Sequence, residues 1–146
     1  MLIERCSAET LSQWVSLRFA LWPDEAQEIM AREAPGILAQ PDMLVLVARA
    51  GDAVTGFAEA SIRRDYVNGC ETSPVAFVEG IYVTPEHRHQ GVARGLIAAI
   101  EDWARAHNLR EMASDALLDN AQSHAMHQAL GFSETERVVY FRKPLA

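Results

Sequence analysis

Cysteine is scarce in this chain. It has two in 146 residues, Cys6 and Cys70. They form no close-spaced pair and no metal pattern, which excludes a disulfide scaffold and suits free thiols in a reducing, cytoplasmic compartment. No stretch approaches the run of about 18–20 apolar residues that a membrane span needs. The opening Met1-Leu2-Ile3-Glu4-Arg5-Cys6 has no basic region followed by an apolar run, so no secretory signal is expected. Basic residues are the minority, with 13 Lys and Arg against 20 Asp and Glu and a formal charge of −7. That balance argues against a general nucleic-acid surface. It is compatible with a cationic small-molecule substrate, and equally with a plain solvated acidic surface. Gly-x-Ser-x-Gly and a cysteine nucleophile motif are both missing, so covalent hydrolase chemistry has no support. Gly-x-Gly-x-x-Gly and Gly-Lys-Ser/Thr are missing too, which removes the dinucleotide fingerprint and the P-loop. His87 with His89, and His124 with His127, lack a third ligand, so no metal site is expected. There is no internal repeat, linker or low-complexity segment.

What is present fits one soluble domain spanning residues 1–146: 49% of residues are hydrophobic and 23% charged, enough for a real core. Leu2–Cys6 reads as a first strand. Ser7 or Thr10 can cap a helix carrying Leu11, Trp14, Val15 and Leu21. Pro23 suits the first turn of a second helix toward Gln40, which Pro35-Gly36 should break or end early. Met43–Ala48 and Val54–Ile62 read as strands joined by a hairpin turn at Ala50-Gly51-Asp52. A polar loop, Arg63–Pro74, precedes a central strand over residues 75–83. A long helix reaches about His107, with Val92, Leu96, Ile97, Ile100, Trp103 and Ala104 on one face. Arg110–Ser114 is a short strand, Ala121–Leu130 a helix with Gly131 as its C-cap, and Val138–Phe141 a terminal strand apolar on both faces. The fold class is α+β: a mixed, mostly antiparallel central sheet with helices on both faces.

Between the central strand and the long helix lies Thr84-Pro85-Glu86-His87-Arg88-His89-Gln90-Gly91-Val92-Ala93-Arg94. A helix start offers free N–H groups and partial positive charge. Gly91 removes a side chain where a phosphate can approach the backbone, and Arg88 and Arg94 add cationic donors. The segment suits a phosphate or pyrophosphate, although a glycine at such a junction is commonly only a turn.

Arg88-x-x-Gly91-x-Ala93 resembles the acyl-CoA signature of the GCN5-related N-acetyltransferase superfamily, Arg/Gln-x-x-Gly-x-Gly/Ala. Asn120-Ala121-Gln122-Ser123-His124-Ala125-Met126-His127-Gln128-Ala129-Leu130-Gly131-Phe132 is similar to that superfamily's later segment, Asn-x-x-Ala-x-x-x-Tyr-x-x-x-Gly-Phe. The resemblance implies the acyl-CoA N-acyltransferase fold and acetyl-CoA as co-substrate. It implies a pyrophosphate held on Arg88, His89, Gln90, Gly91, Val92, Ala93 and Arg94. Backbone amides near Ile81, Tyr82 and Val83 would take the pantetheine arm and thioester. Asn120 matches a position that hydrogen-bonds the pantetheine; as a bare residue it reads as a helix N-cap. His127 stands where many members carry a tyrosine general acid. An imidazole can donate a proton or simply pack beside the cofactor, and the reading here is packing or binding.

A narrower resemblance rests on Trp22-Pro23, the Arg63–Gly69 loop, the Phe77–Val83 strand and Ser114-Asp115-Ala116. Together these look like bacterial aminoglycoside 6'-N-acetyltransferases. That likeness implies substrate contacts from Trp22, Tyr66, Glu79, Asp115 and Glu136, with Asp115 and Glu79 closest to the chemistry. Taken alone, Glu79 and Asp115 can be exposed strand-end acids, and Trp22 and Tyr66 core packing. The implied reaction is acetyl transfer to an aminoglycoside 6'-amine by direct attack in a homodimeric enzyme. Another amine, such as a polyamine or a protein amino group, or a non-catalytic acyl-CoA-binding module, are the alternatives.

Overall fold

The computed structural model describes residues 1–146. The chain divides into two compact units, Met1–Ser114 and Asp115–Ala146.

The first unit carries the sheet. Its strands are β1 (Leu2–Arg5), β2 (Met43–Ala50), β3 (Ala53–Arg63), β4 (Val75–Val83) and β5 (Met112–Ser114), in that spatial order. The first three pairings are antiparallel and β4–β5 is parallel. The apolar run of β4 is explained by burial on both faces: Val75, Ala76, Phe77 and Val78 are at most 4% exposed. Helices α1 (Leu11–Leu21) and α2 (Gln27–Ala39) cover one face. Trp14, Val15, Met30 and Ala34 pack there with Val45, Val47 and Phe57. Helix α3 (Val92–Ala106) covers the other face. Gly56, next to Phe57, shows why: a Cβ at Gly56 would meet Val92 at 3.1 Å and the Tyr82 carbonyl at 2.8 Å, and neighbouring strand residues point to opposite faces. The mixed, mostly antiparallel sheet with helices on both faces is therefore as the sequence indicates.

Two expectations about α2 are overturned. Pro23 does not open the helix; it heads a turn closed by the Glu25 amide on the Trp22 carbonyl at 3.2 Å, the position where proline's fixed φ is favoured. Pro35 lies inside the helix without ending it. The buried Met30 and Ala34 before it and the partly buried Ile37 and Leu38 after it join one cluster, so tertiary packing outweighs the lost hydrogen bond. Thr10 stands at the N-cap of α1, but its hydroxyl accepts from the Ser7 amide at 3.1 Å rather than from the helix. Helix α3 ends as a left-handed cap: Asn108 has φ 59°, and the Leu109 amide reaches the Ala104 carbonyl at 2.9 Å.

In the second unit, α4 (Ala121–Ala129) starts at Asn120, whose side-chain oxygen accepts from the Ser123 amide at 3.1 Å. It ends on Gly131, at φ 96°, with the Phe132 amide on the His127 carbonyl at 2.9 Å and the Gly131 amide on the Gln128 carbonyl at 3.2 Å. This is the Schellman pattern that a left-handed glycine allows. The terminal strand anticipated at Val138–Phe141 does not form. Residues 133–146 have no regular structure, and Tyr140 and Phe141 are 84% and 91% exposed. A strand needs a neighbouring ladder, and the single chain supplies none to this segment.

Candidate active site

On the α1/α2 face of the sheet a cavity of about 310 Å³ is lined by Arg18, Trp22, Glu25, Met43, Glu59 and Glu79 among others. Glu79 owes its place to a break in register. Glu59 pairs with Gly80 and Ala60 with Val78, leaving Glu79 as the extra residue of a bulge on β4. Bulges re-aim a side chain out of the regular alternation. Glu79 is thus within β4 rather than at its end, which corrects its expected position as a strand-end acid. Its Oε1 accepts from Ser61 Oγ at 2.6 Å and from Arg63 Nε and Nη2 at 3.0 and 2.9 Å. Its Oε2 takes one bond from Arg63 Nη2, at 2.8 Å, and so retains acceptor capacity. The guanidinium of Arg63 is itself held over the Phe77 ring at 3.5 Å.

Glu59 is the deeper carboxylate, 2% exposed. Its Oε2 accepts from Trp14 Nε1 at 3.0 Å and from Arg18 Nε at 2.6 Å, and its Oε1 from Arg18 Nη2 at 3.2 Å. Burial pushes its carboxyl above the usual range, while the charge and hydrogen bonds of Arg18 and the bond from Trp14 pull it back down. Trp22 is partly buried against the core cluster, edge-on to Phe57 at 6.3 Å. Tyr66 is 68% exposed, on the loop after β3.

At the C-terminal end of β4 the chain makes a single 3₁₀ turn, Pro85–His87, and enters α3 through Gly91 at φ 84°. No side chain caps α3, and its first recorded helical bond is from the Gly95 amide to the Gly91 carbonyl at 3.0 Å. The first turn of α3 thus points its amides and its partial positive charge toward the loop. A Cβ at Gly91 would meet nothing within 4 Å, so it is the left-handed φ alone that favours glycine there. Arg88 is tied to the strand end. Its Nε donates to the Val83 carbonyl at 2.9 Å and its guanidinium lies 5.5 Å from the Tyr82 ring, so it rivets the loop to the strand end. His89 has φ 62°, Gln90 Nε2 donates to the Glu86 carbonyl at 3.1 Å, and Thr84 Oγ1 meets His87 Nδ1 at 2.8 Å. An anion held on amides fits this geometry.

β5 ends at Ser114, in register with Val78. In the second unit, Asp115 follows that strand directly and is exposed. Asn120 is the α4 cap described above. His127 Nδ1 lies 2.7 Å from the Ser123 carbonyl, and the ring is 5.2 Å from Phe132 in an edge-on arrangement. Glu136 lies in the exposed C-terminal segment.

Residues 8–132 match the model of the Acetyltransferase (GNAT) family. The chain belongs to this family. Within it, this acetyltransferase is 51% identical over 138 residues to the aminoglycoside N(6')-acetyltransferase type 1 of Acinetobacter baumannii, with 94% of each chain covered. It is 50% identical over 146 residues to the Acinetobacter haemolyticus protein of the same name, with 99% of each covered. Its fold matches the ligand-free crystal structure of the aminoglycoside 6'-N-acetyltransferase AAC(6')-IG from Acinetobacter haemolyticus with a TM-score of 0.95, at 48% identity and full coverage of both chains. It matches AAC(6')-Iy in complex with the bisubstrate analogue CoA-S-monomethyl-acetylneamine with a TM-score of 0.93, at 44% identity and 99% and 98% coverage.

The sequence reading of this acetyltransferase missed Arg18, Glu25 and Glu59 as cavity-lining residues and Arg63 as the partner of Glu79. One signal was there to be read: Trp14, Arg18 and Trp22 recur at four-residue spacing, which puts them on one side of a helix. The Arg18–Glu59 and Arg63–Glu79 pairs join residues 41 and 16 apart in sequence, beyond any local pattern.

Proposed function

We propose that this chain is an aminoglycoside 6'-N-acetyltransferase that moves the acetyl group of acetyl-CoA to the 6'-amine in a ternary complex and thereby confers resistance. The observation that carries the reading is the likeness, over 99% of the chain, to AAC(6')-Iy bound to an analogue joining CoA to an acetylated aminoglycoside. Acetyl-CoA suits the open start of α3. In this reading Arg88, His89, Gln90, Gly91, Val92, Ala93 and Arg94 hold its pyrophosphate, while Ile81, Tyr82 and Val83 hold the pantetheine and thioester. Asn120 and His127 complete the cofactor contacts. Trp22, Tyr66, Glu79, Asp115 and Glu136 bind the polycationic substrate. The 6'-nitrogen attacks the thioester carbon, the N–C bond forms, the C–S bond breaks and CoA thiolate leaves. Glu79 and Asp115 accept the amine's proton through water, and the site orients the amine against the thioester. No metal or covalent enzyme intermediate is required by this chemistry. The enzyme works as a cytoplasmic homodimer; the two free thiols, Cys6 and Cys70, suit that compartment.

The test is free-thiol release from acetyl-CoA with kanamycin-type aminoglycosides, polyamines and peptide amines offered in parallel. Release with aminoglycosides bearing a 6'-amine, and none with 6'-hydroxyl analogues, is the expected result. Release only with polyamines or peptides would replace the substrate, and no release with any amine would favour a binding module. Glu79→Gln and Asp115→Asn should each lower kcat/KM about tenfold or more, since a hydrogen bond to a charged group contributes about 1.5–3 kcal/mol. If both variants keep wild-type kcat/KM, the substrate site lies elsewhere.

A further inference from the structure

We infer that Gly80 and Arg18 are positioning residues that fix the indole of Trp22 at the cavity wall, and thereby set aminoglycoside affinity; the inference rests on the functional reading above. Gly80 sits on β4 opposite Glu59 and next to Glu79. A Cβ built there would lie 2.5 Å from Trp22 Cη2, 2.7 Å from Cζ2 and 3.3 Å from Leu21 Cδ2. Its φ is outside the left-handed region, so the backbone would accept any residue. What excludes a side chain is the far edge of the indole, which occupies the space a Cβ would fill.

The face of the same indole is held by Arg18, whose guanidinium carbon stands 5.1 Å from the Trp22 ring and 5.3 Å from the Trp14 ring. A cation over an aromatic face is attractive, more so when desolvated. The Arg18 side chain is 11% exposed. It cannot swing away, because Glu59 grips it through two hydrogen bonds, and Glu59 is fixed in turn by Trp14 Nε1. Phe57 closes another side at 65° to the indole plane. Edge, face and flank of Trp22 are thus set by β4, by the Arg18–Glu59 pair and by β3. Trp22, Arg18, Glu59 and Glu79 all line one cavity, so displacing the indole changes the wall beside the Glu79 carboxylate.

The experiment compares Gly80→Ala in the wild-type and Trp22→Phe backgrounds, reading the KM for a kanamycin-type aminoglycoside, kcat, and the KM for acetyl-CoA. A phenylalanine ring stops short of Gly80. Gly80→Ala should therefore raise the aminoglycoside KM at least fivefold in wild type and less than twofold in Trp22→Phe, with the acetyl-CoA KM within twofold in both. Coupling of this kind is the mark of contacting residues. Equal effects in the two backgrounds, or an unchanged aminoglycoside KM in wild type, would overturn the inference. Should Gly80→Ala fail to fold, Arg18→Lys answers the same question: it keeps the charge against Glu59 and loses the planar stack. It should raise the aminoglycoside KM in wild type and add less than twofold in Trp22→Phe; any other pattern overturns the inference. A wild-type enzyme that releases thiol while these variants behave as wild type sinks the inference alone, whereas a wild-type enzyme inert toward aminoglycosides sinks the functional reading and the inference with it.

Discussion

His127 tests how far a motif position determines a residue's role. A carbonyl oxygen only accepts, so in the 2.7 Å contact with Ser123 it is His127 Nδ1 that donates. Edge-on packing against Phe132 makes it one side of a small ring pair beside the α4 terminus. CoA thiolate is a good leaving group at neutral pH and needs little acid help. His127→Ala should therefore raise the acetyl-CoA KM severalfold and leave kcat within about threefold. General acid catalysis typically contributes about 10²–10⁴-fold, so a hundredfold loss of kcat, with acetyl-CoA binding intact and chemistry rate-limiting, would assign His127 that role instead. The residue type and its helix position were legible in sequence. The Ser123 bond follows from helical geometry, as the ring folds back one turn. What the sequence could not show is the state of Glu79: its partners Ser61 and Arg63 come from β3, and a bulge that no local pattern announces aims it at them.

Among elements, α3 was the most legible, because its buried face repeats at helical spacing and its entrance carries a glycine. The structure adds why glycine is favoured there: Gly91 is left-handed. Any side chain there pays backbone strain of about 1–2 kcal/mol, so a single substitution cannot separate strain from charge. Gly91→Ala and Gly91→Glu together can. The alanine variant should weaken acetyl-CoA binding modestly, and the glutamate variant at least tenfold further, because its carboxylate opposes the pyrophosphate. Calorimetry giving equal affinities for the two folded variants would remove the anion from this site. Helix α2 was less legible, since proline reads as a breaker in sequence whereas Met30 and Ala34 hold the helix from the core side. The loop after β3 was legible only as polar. Its order comes from Glu111, which accepts from the Glu71 amide at 2.9 Å, and from the Thr72 amide at 2.6 Å and the Thr72 hydroxyl. Those bonds, the Thr72 hydroxyl first, hold the Glu111 carboxyl below the usual glutamate range. The folded pKa is lower than the unfolded one, so this contribution is fully present above the ordinary glutamate pKa and is lost as pH falls through the lowered value. Glu111→Gln should flatten the acid limb of a stability-against-pH profile and leave the neutral and alkaline limbs parallel to wild type. A full acid limb in that variant would show that other carboxylates govern it.

At the scale of the whole molecule, the segment that read as a terminal strand is the informative disagreement. Val138-Val139-Tyr140-Phe141 has the composition of a strand covered on both faces, yet in one chain Val139, Tyr140 and Phe141 are 76%, 84% and 91% exposed, with Leu145 at 89%. The sequence specified what the segment prefers but not where its ladder comes from. Large apolar side chains contribute about 1.5–3 kcal/mol each when buried, and this many left in water is a patch that soluble monomers rarely carry. An unpaired apolar strand is also an aggregation hazard. A second copy of the chain would resolve both problems, by giving the backbone a ladder and the side chains a cover. We therefore predict a homodimer with the C-terminal segment in or near its interface. Light scattering at micromolar concentration should report twice the 16.2 kDa chain mass. Tyr140→Asp combined with Phe141→Asp should shift the population to monomer, lower the melting temperature and remove its dependence on protein concentration, because a dimer's stability is linked to assembly. Only monomer from the wild-type protein at that concentration would mean that the segment finds no partner in a second chain, and its apolar residues would then need a ligand or another protein to cover them.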